Sequence, residues 1–259
     1  MKKLDVKLAL FIGVICFGAG FLLLPYQLET LKSALPQNEF EKMTADMPMV
    51  ITSLAFSAQL FVMSFLLAWA GFNLARKTGF SFDILQSFFE KGQKKSFGGK
   101  PFLLAVFFGV ITGFLIVASD RFYFESRIPQ LNEYSPEFSW LGLAAGVIGG
   151  GVFEETLLRL FFVSFLVWGF RKILKTDNKA VYLAAILIAA LGFAALHLPF
   201  TSVVFGELTG LIVFRSFLLN GIGGIFFGYL YWKKGFEYAI ISHMFAHISM
   251  QLLFIPLFY

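Results

Sequence analysis

Seven long runs of apolar residues, separated by short polar connections, set the expected architecture. They cover residues 8–24, 49–75, 101–118, 138–170, 180–198, about 217–232 and 238–257. Apart from the longer fourth run, these are near the length of about 20 residues that an α-helix needs to cross a bilayer. The pattern predicts an all-α fold: a polytopic transmembrane helical bundle of about seven to eight spans. Two stretches leave the count open. Gly149, Gly150 and Gly151 interrupt the fourth run, which is then one bent span or a half-span meeting a second helix. Residues 200–215 are apolar but hold Thr201, Glu207 and Thr209, and read as re-entrant, interfacial or an eighth span. Segment 80–89, with Phe82, Leu85 and Phe89 at helical spacing beside basic residues, reads as a surface-lying amphipathic helix or a plain loop. No repeat or linker divides the chain, so residues 1–259 form a single integral membrane domain.

Composition sharpens this. The chain is 58% hydrophobic and only 14% charged, whereas soluble domains carry about 25% charged residues. A water-soluble enzyme, a disordered chain and a disulfide scaffold are excluded, the last because Cys16 is the only cysteine. The first run follows Lys2, Lys3 and Lys7 but ends in Pro25, Tyr26 and Gln27 rather than a small-residue cleavage site, so it reads as a retained span. A net charge of +5 in such a chain implies anionic lipid, not nucleic acid. Its basic residues gather in alternate connections: Arg76, Lys77 and Lys91–Lys100 in one, Arg171, Lys172, Lys175 and Lys179 in another, Lys233 and Lys234 in a third. The remaining connections hold Glu29, Glu39, Glu41, Asp46, Glu125, Glu133 and Glu137. The positive-inside bias therefore places the N-terminus and the basic connections on the cytoplasmic side. The small size and short connections suggest a multi-pass protein of a bacterial cytoplasmic membrane.

Ionisable residues at membrane depth cost roughly 2.5–3.5 kcal/mol each on insertion scales and so need a partner or a purpose. Glu154, Glu155 and Arg159 share one run. Glu155 and Arg159, four apart, lie on one helical face and can pair; Glu154, about 100° away, is left to face a cavity. All three histidines, His197, His243 and His247, also fall in apolar segments. His243 and His247 share a face, and Phe193 lies one turn before His197 as a candidate wall. A carboxylate near an imidazole can take a proton from water, and a second imidazole can donate to the oxyanion formed at a carbonyl, which is the chemistry of amide hydrolysis. The alternative is zinc, with His243 and His247 at the i, i+4 spacing that metal favours and His197 or Glu154 completing the set. The glutamate that follows the first histidine in common zinc-protease helices is missing; no cofactor is the leading expectation. Ser242 diverges from His243 and is expected to bond to the preceding turn. The pairs Gly146 with Gly150 and Gly224 with Gly228 are expected to serve close helix packing.

Glu154-Glu155-Thr156-Leu157-Leu158-Arg159 resembles the EExxxR motif of the CPBP family, the CAAX proteases and bacteriocin-processing membrane proteins also called Abi. Phe193 to His197 matches its FxxxH motif, and His243 to His247 occupies its HxxxN/D motif. The resemblance covers about residues 140–250. It implies an intramembrane peptidase in which Glu154 and His197 activate water, His243 and His247 hold the oxyanion, and Glu155, Arg159 and Phe193 support them. The implied partners are the lipid bilayer and a peptide or membrane-anchored protein substrate. Two departures stand out: Leu158 and Leu160 flank the arginine where an aromatic residue and a glycine are usual, and His247 replaces the usual Asn or Asp. The competing reading is a non-catalytic scaffold or bacteriocin immunity protein of the same fold. A proton-relaying transporter is disfavoured by the lack of repeats and paired broken helices.

Overall fold

The computed structural model describes residues 3–92, 94–133 and 136–259, with the backbone alone at 132 and 133. Lys2 and the side chain of Glu133, both used in the charge reading, lie outside that description. The described residues are mostly helical, with no strand. In chain order they form α1 (Lys3–Ala34), α2 (Gln37–Thr44), α3 (Met49–Thr78), α4 (Asp83–Phe89), α5 (Gly99–Ser119), α6 (Pro129–Glu133) and α7 (Trp140–Ala145). These are followed by α8 (Ser164–Leu174), α9 (Lys179–Leu196), α10 (Leu198–Phe205), α11 (Gly210–Lys233), α12 (Phe236–Ser249) and α13 (Ile255–Phe258). The outward faces are apolar: Val50, Leu103, Phe107 and Leu183 are exposed, as lipid contact requires.

Six helices among the described residues are long and apolar enough to cross a membrane. The fourth predicted run takes another form. Gly149–Gly151 neither break it nor start a half-span; the chain stays helical from Trp140 to Leu174 but changes to π geometry over Gly146–Glu154 and Thr156–Val163. Segment 200–215 is not an eighth span. It divides into α10, which continues α9 past a turn at His197, and the first residues of α11. Gly206 ends α10 at φ 75°, a left-handed conformation that favours glycine. Thr209 then caps α11 by accepting from the Ile212 amide. Segment 80–89 contains α4, but Phe80, Phe82 and Ile84 are buried, so it tucks under the bundle rather than lying open.

Lipid tails are as apolar as leucine, so small residues that let backbones approach decide which spans meet. α11 lies on α9 where Gly224 faces Ala190 and Gly228 faces Ile186; a Cβ on either glycine would come within 2.7 or 2.6 Å of those side chains. α5 lies on α12 with Gly109 directly over the carbonyl of Ser242. α1 meets α3 where Gly20 abuts Ser57. Ser242 does not bond to its preceding turn: its Oγ is buried and finds no partner among the described residues. Packing against α5, not a hydrogen bond, is what occupies that position.

Candidate active site

The helical run from Trp140 to Leu174 carries the acidic pair at a change of geometry. Glu154 closes one π stretch, and Glu155 is the single residue separating it from the next. Such i→i+5 turns inside α-helices concentrate at functional sites. They also hold more residues per turn, so the angular step between neighbours is smaller than the 100° of an α-helix. This bears on the expectation that Glu154 and Glu155 face different places. They reach opposite edges of one ring: His243 Nδ1 lies 2.7 Å from Glu155 Oε1, and His243 Nε2 lies 3.7 Å from Glu154 Oε2.

Glu155 also pairs with Arg159, as the spacing predicts. Arg159 Nη1 donates to Glu155 Oε1 at 2.8 Å, and Nη2 donates to the Gly224 carbonyl at 3.2 Å. The guanidinium sits 5.7 and 5.3 Å from the ring centres of Phe193 and Phe227. Glu155 and Arg159 are almost fully buried, with side-chain exposures of 0% and 2%, whereas Glu154 keeps 30%. One carboxylate is thus locked into the bundle and the other faces space.

Each histidine is held differently. His197 ends α9, with Nδ1 2.9 Å from the Phe193 carbonyl and its ring edge-on to Phe193 at 4.5 Å. A carbonyl only accepts, so Nδ1 carries the hydrogen and a neutral ring keeps its lone pair on Nε2. His243 stacks on Phe227 at 4.7 Å and on His247 at 5.2 Å. His247 fills a notch cut by Gly146 and Gly150; a Cβ on Gly150 would stand 2.7 Å from His247 Nε2 and 3.1 Å from His243 Nε2. Gly146 and Gly150 therefore do more than admit a neighbouring helix: they make room for an imidazole.

Two cavities, of about 300 and 490 Å³, meet at these groups and share Glu154, Phe193, His197, Phe200 and His247. The smaller also reaches His243, Asn220, Asp120 and Arg215; the larger reaches Tyr26, Gln27 and Leu157. Glu154, Phe193, His197, His243 and His247 are thus brought together, with Glu155 and Arg159 behind them. Sequence reasoning missed the ion pair of Arg215 with Asp120, which forms part of the smaller cavity's wall. Its signal was present, since an arginine and an aspartate at the ends of apolar runs need partners. The Glu155–His243 bond was also missed, because 88 residues separate the two. Among the described residues, no three His, Cys, Asp or Glu side chains are gathered so as to hold a metal ion.

Residues 136–249 match the family described as type II CAAX prenyl endopeptidase Rce1-like. No curated protein and no solved structure matches the chain. The matched stretch runs through Glu154, His197, His243 and His247, where the resemblance to the CAAX proteases lies. Over those residues, which make up less than half of the chain, the protein is similar to the Rce1-like endopeptidases.

Proposed function

We propose that the protein hydrolyses a peptide bond in a membrane-associated peptide or protein, with Glu154 and His197 activating the attacking water. The observation that carries this reading is the convergence of a partly exposed carboxylate and an imidazole with a lone pair on Nε2 upon two adjoining cavities inside an apolar bundle. Glu154 can take a proton from water while His197 Nε2 accepts a hydrogen bond from it, which leaves the oxygen nucleophilic. His243, which holds Glu155 through Nδ1, donates from Nε2 when both its nitrogens carry protons; carboxylates flank it on both edges. His247 stacks on it and supplies the second donor to the oxyanion. Arg159 and Glu155 position His243, and Phe193 walls the pocket and holds His197. No metal is required in this scheme.

The test is isotopic. Membranes holding the protein, incubated in ¹⁸O-labelled water, are expected to release a processed peptide whose new carboxyl group carries one ¹⁸O, and membranes lacking the protein are not. Metal content is measured on the same samples. Identical peptide profiles with and without the protein would favour the scaffold reading; stoichiometric zinc, with loss of processing on its removal, would replace the water-activation scheme.

The glycine notch gives a finer check. Gly150→Ala is expected to slow processing about tenfold by pushing the imidazoles off position, since misplacement of about 1 Å can cost 100-fold. Alanine is the better helix former by about 1 kcal/mol, so the melting temperature should not fall with activity. Adding His247→Asn, the shorter residue of the related motif, is expected to recover part of the loss. Unchanged turnover in the single variant would show that the notch does not set the ring positions.

A further inference from the structure

The sequence places the basic connections on one side of the membrane but says nothing of which side the site opens to; the cavities do. His197 lies about 12 Å of helix from Phe205 at one end of its span, but about 27 Å from Lys179 at the other. Glu154 likewise lies nearer Trp140 than Leu174 along its own helical run. Both groups therefore sit in the half of the bundle away from Lys179 and Leu174, that is, away from the basic connections.

The hollow extends the same way. A third cavity, of about 320 Å³, shares Phe200, Thr201 and Arg215 with the 300 Å³ cavity and runs on to Ser33, Ala34 and Gln130. Those residues end α1 or belong to the connection after α5, on the face opposite Arg76, Lys94, Lys172 and Lys233. Toward the basic face the route is filled. Arg159 and Glu155 form their buried pair behind Glu154, and Tyr231, Phe72 and Phe236, toward the basic ends of α11, α3 and α12, are fully buried. Tyr231 is bonded to Ser164 at 2.6 Å. The floor is a packed layer of side chains, and the mouth mixes hydroxyls, an amide and an arginine already engaged by Asp120 with apolar residues such as Leu131, Phe200 and Val204.

We infer that the site takes its substrate from the face opposite the basic connections, which the positive-inside bias makes the non-cytoplasmic face. This rests on the proposed peptidase reading and narrows its substrate class: an extended, largely uncharged polypeptide segment that has already crossed the bilayer, or is anchored in its outer leaflet. A prenylated protein held on the cytoplasmic leaflet would meet the packed floor.

Topology and entry are tested on the full-length protein in bacterial spheroplasts, with Cys16→Ala removing the only native thiol. Ser33→Cys places a thiol at the mouth and Lys234→Cys places one on the basic face; both native residues are exposed. A membrane-impermeant maleimide is expected to label the Ser33→Cys variant in intact spheroplasts and the Lys234→Cys variant only after lysis. The reverse pattern, or labelling of both before lysis, overturns the inference. In a second arm, a bulky polyethylene-glycol maleimide attached through Ser33→Cys is expected to cut processing at least tenfold, whereas the same tag attached through Lys234→Cys leaves it unchanged; equal processing in the two overturns the entry route. Labelling does not depend on cleavage, so a failed peptidase reading shows as absent ¹⁸O incorporation with the labelling pattern intact.

Discussion

Glu154→Gln is expected to lower processing by at least about 100-fold, the low end of what a positioned general base contributes, while leaving the folded protein as stable as wild type. Glutamine keeps the length and shape of the side chain and can still hydrogen-bond, but it cannot take a proton from water. The structural cost is small because Glu154 retains 30% exposure and stands 3.7 Å from its imidazole neighbour, beyond a close ion pair. Substitutions at such positions usually change stability by no more than about 0.5 kcal/mol. The measurement is paired: processed peptide by mass spectrometry, and the melting temperature of the purified protein in detergent. Equal processing by wild type and variant would remove Glu154 from the chemistry and with it the peptidase scheme. Lost processing with a lowered melting temperature would instead mark Glu154 as part of the packing.

What the residues alone could convey follows from how far each interaction reaches along the chain. The spans are legible because lipid leaves every crossing helix no choice but a long apolar run. The Glu155–Arg159 pair is legible because a four-residue spacing is local to one helix. Relationships between helices are not, since they depend on how each rod is rotated against its neighbours. Glu155 with His243 and Asp120 with Arg215 join elements 88 and 95 residues apart, and no periodicity encodes either. The π turns were invisible for another reason: glycines at 149–151 read as a break, whereas packing of Gly149 against Leu23 and of Gly150 against His247 keeps the chain helical. Among the expected spans, the run bearing Glu154, Glu155 and Arg159 is the one that changes geometry where its charges lie, while the other six are long apolar helices.

Arg159→Ala separates support from chemistry most sharply. The substitution strips the Glu155 carboxylate, itself with no exposed surface, of its cation, and leaves an alanine methyl where a guanidinium filled the space between Phe193 and Phe227. Breaking a buried ion pair from one side costs about 3–5 kcal/mol, so the expected result is a melting temperature lower by about 10 °C, given about 2–4 °C per kcal/mol for a chain of this size. Processing should fall with it. A double variant, Glu155→Gln with Arg159→Met, discriminates between the two roles. It removes both charges and restores apolar volume, and such exchanges of a buried pair are often neutral or stabilising, so thermal stability is expected to return to within about 1 kcal/mol of wild type. Processing should not return, because His243 then has a neutral amide at Nδ1 in place of the carboxylate that held it. If the double variant regained both stability and turnover, Glu155 would be a packing residue and the orientation of His243 would have to come from Phe227 and His247 alone.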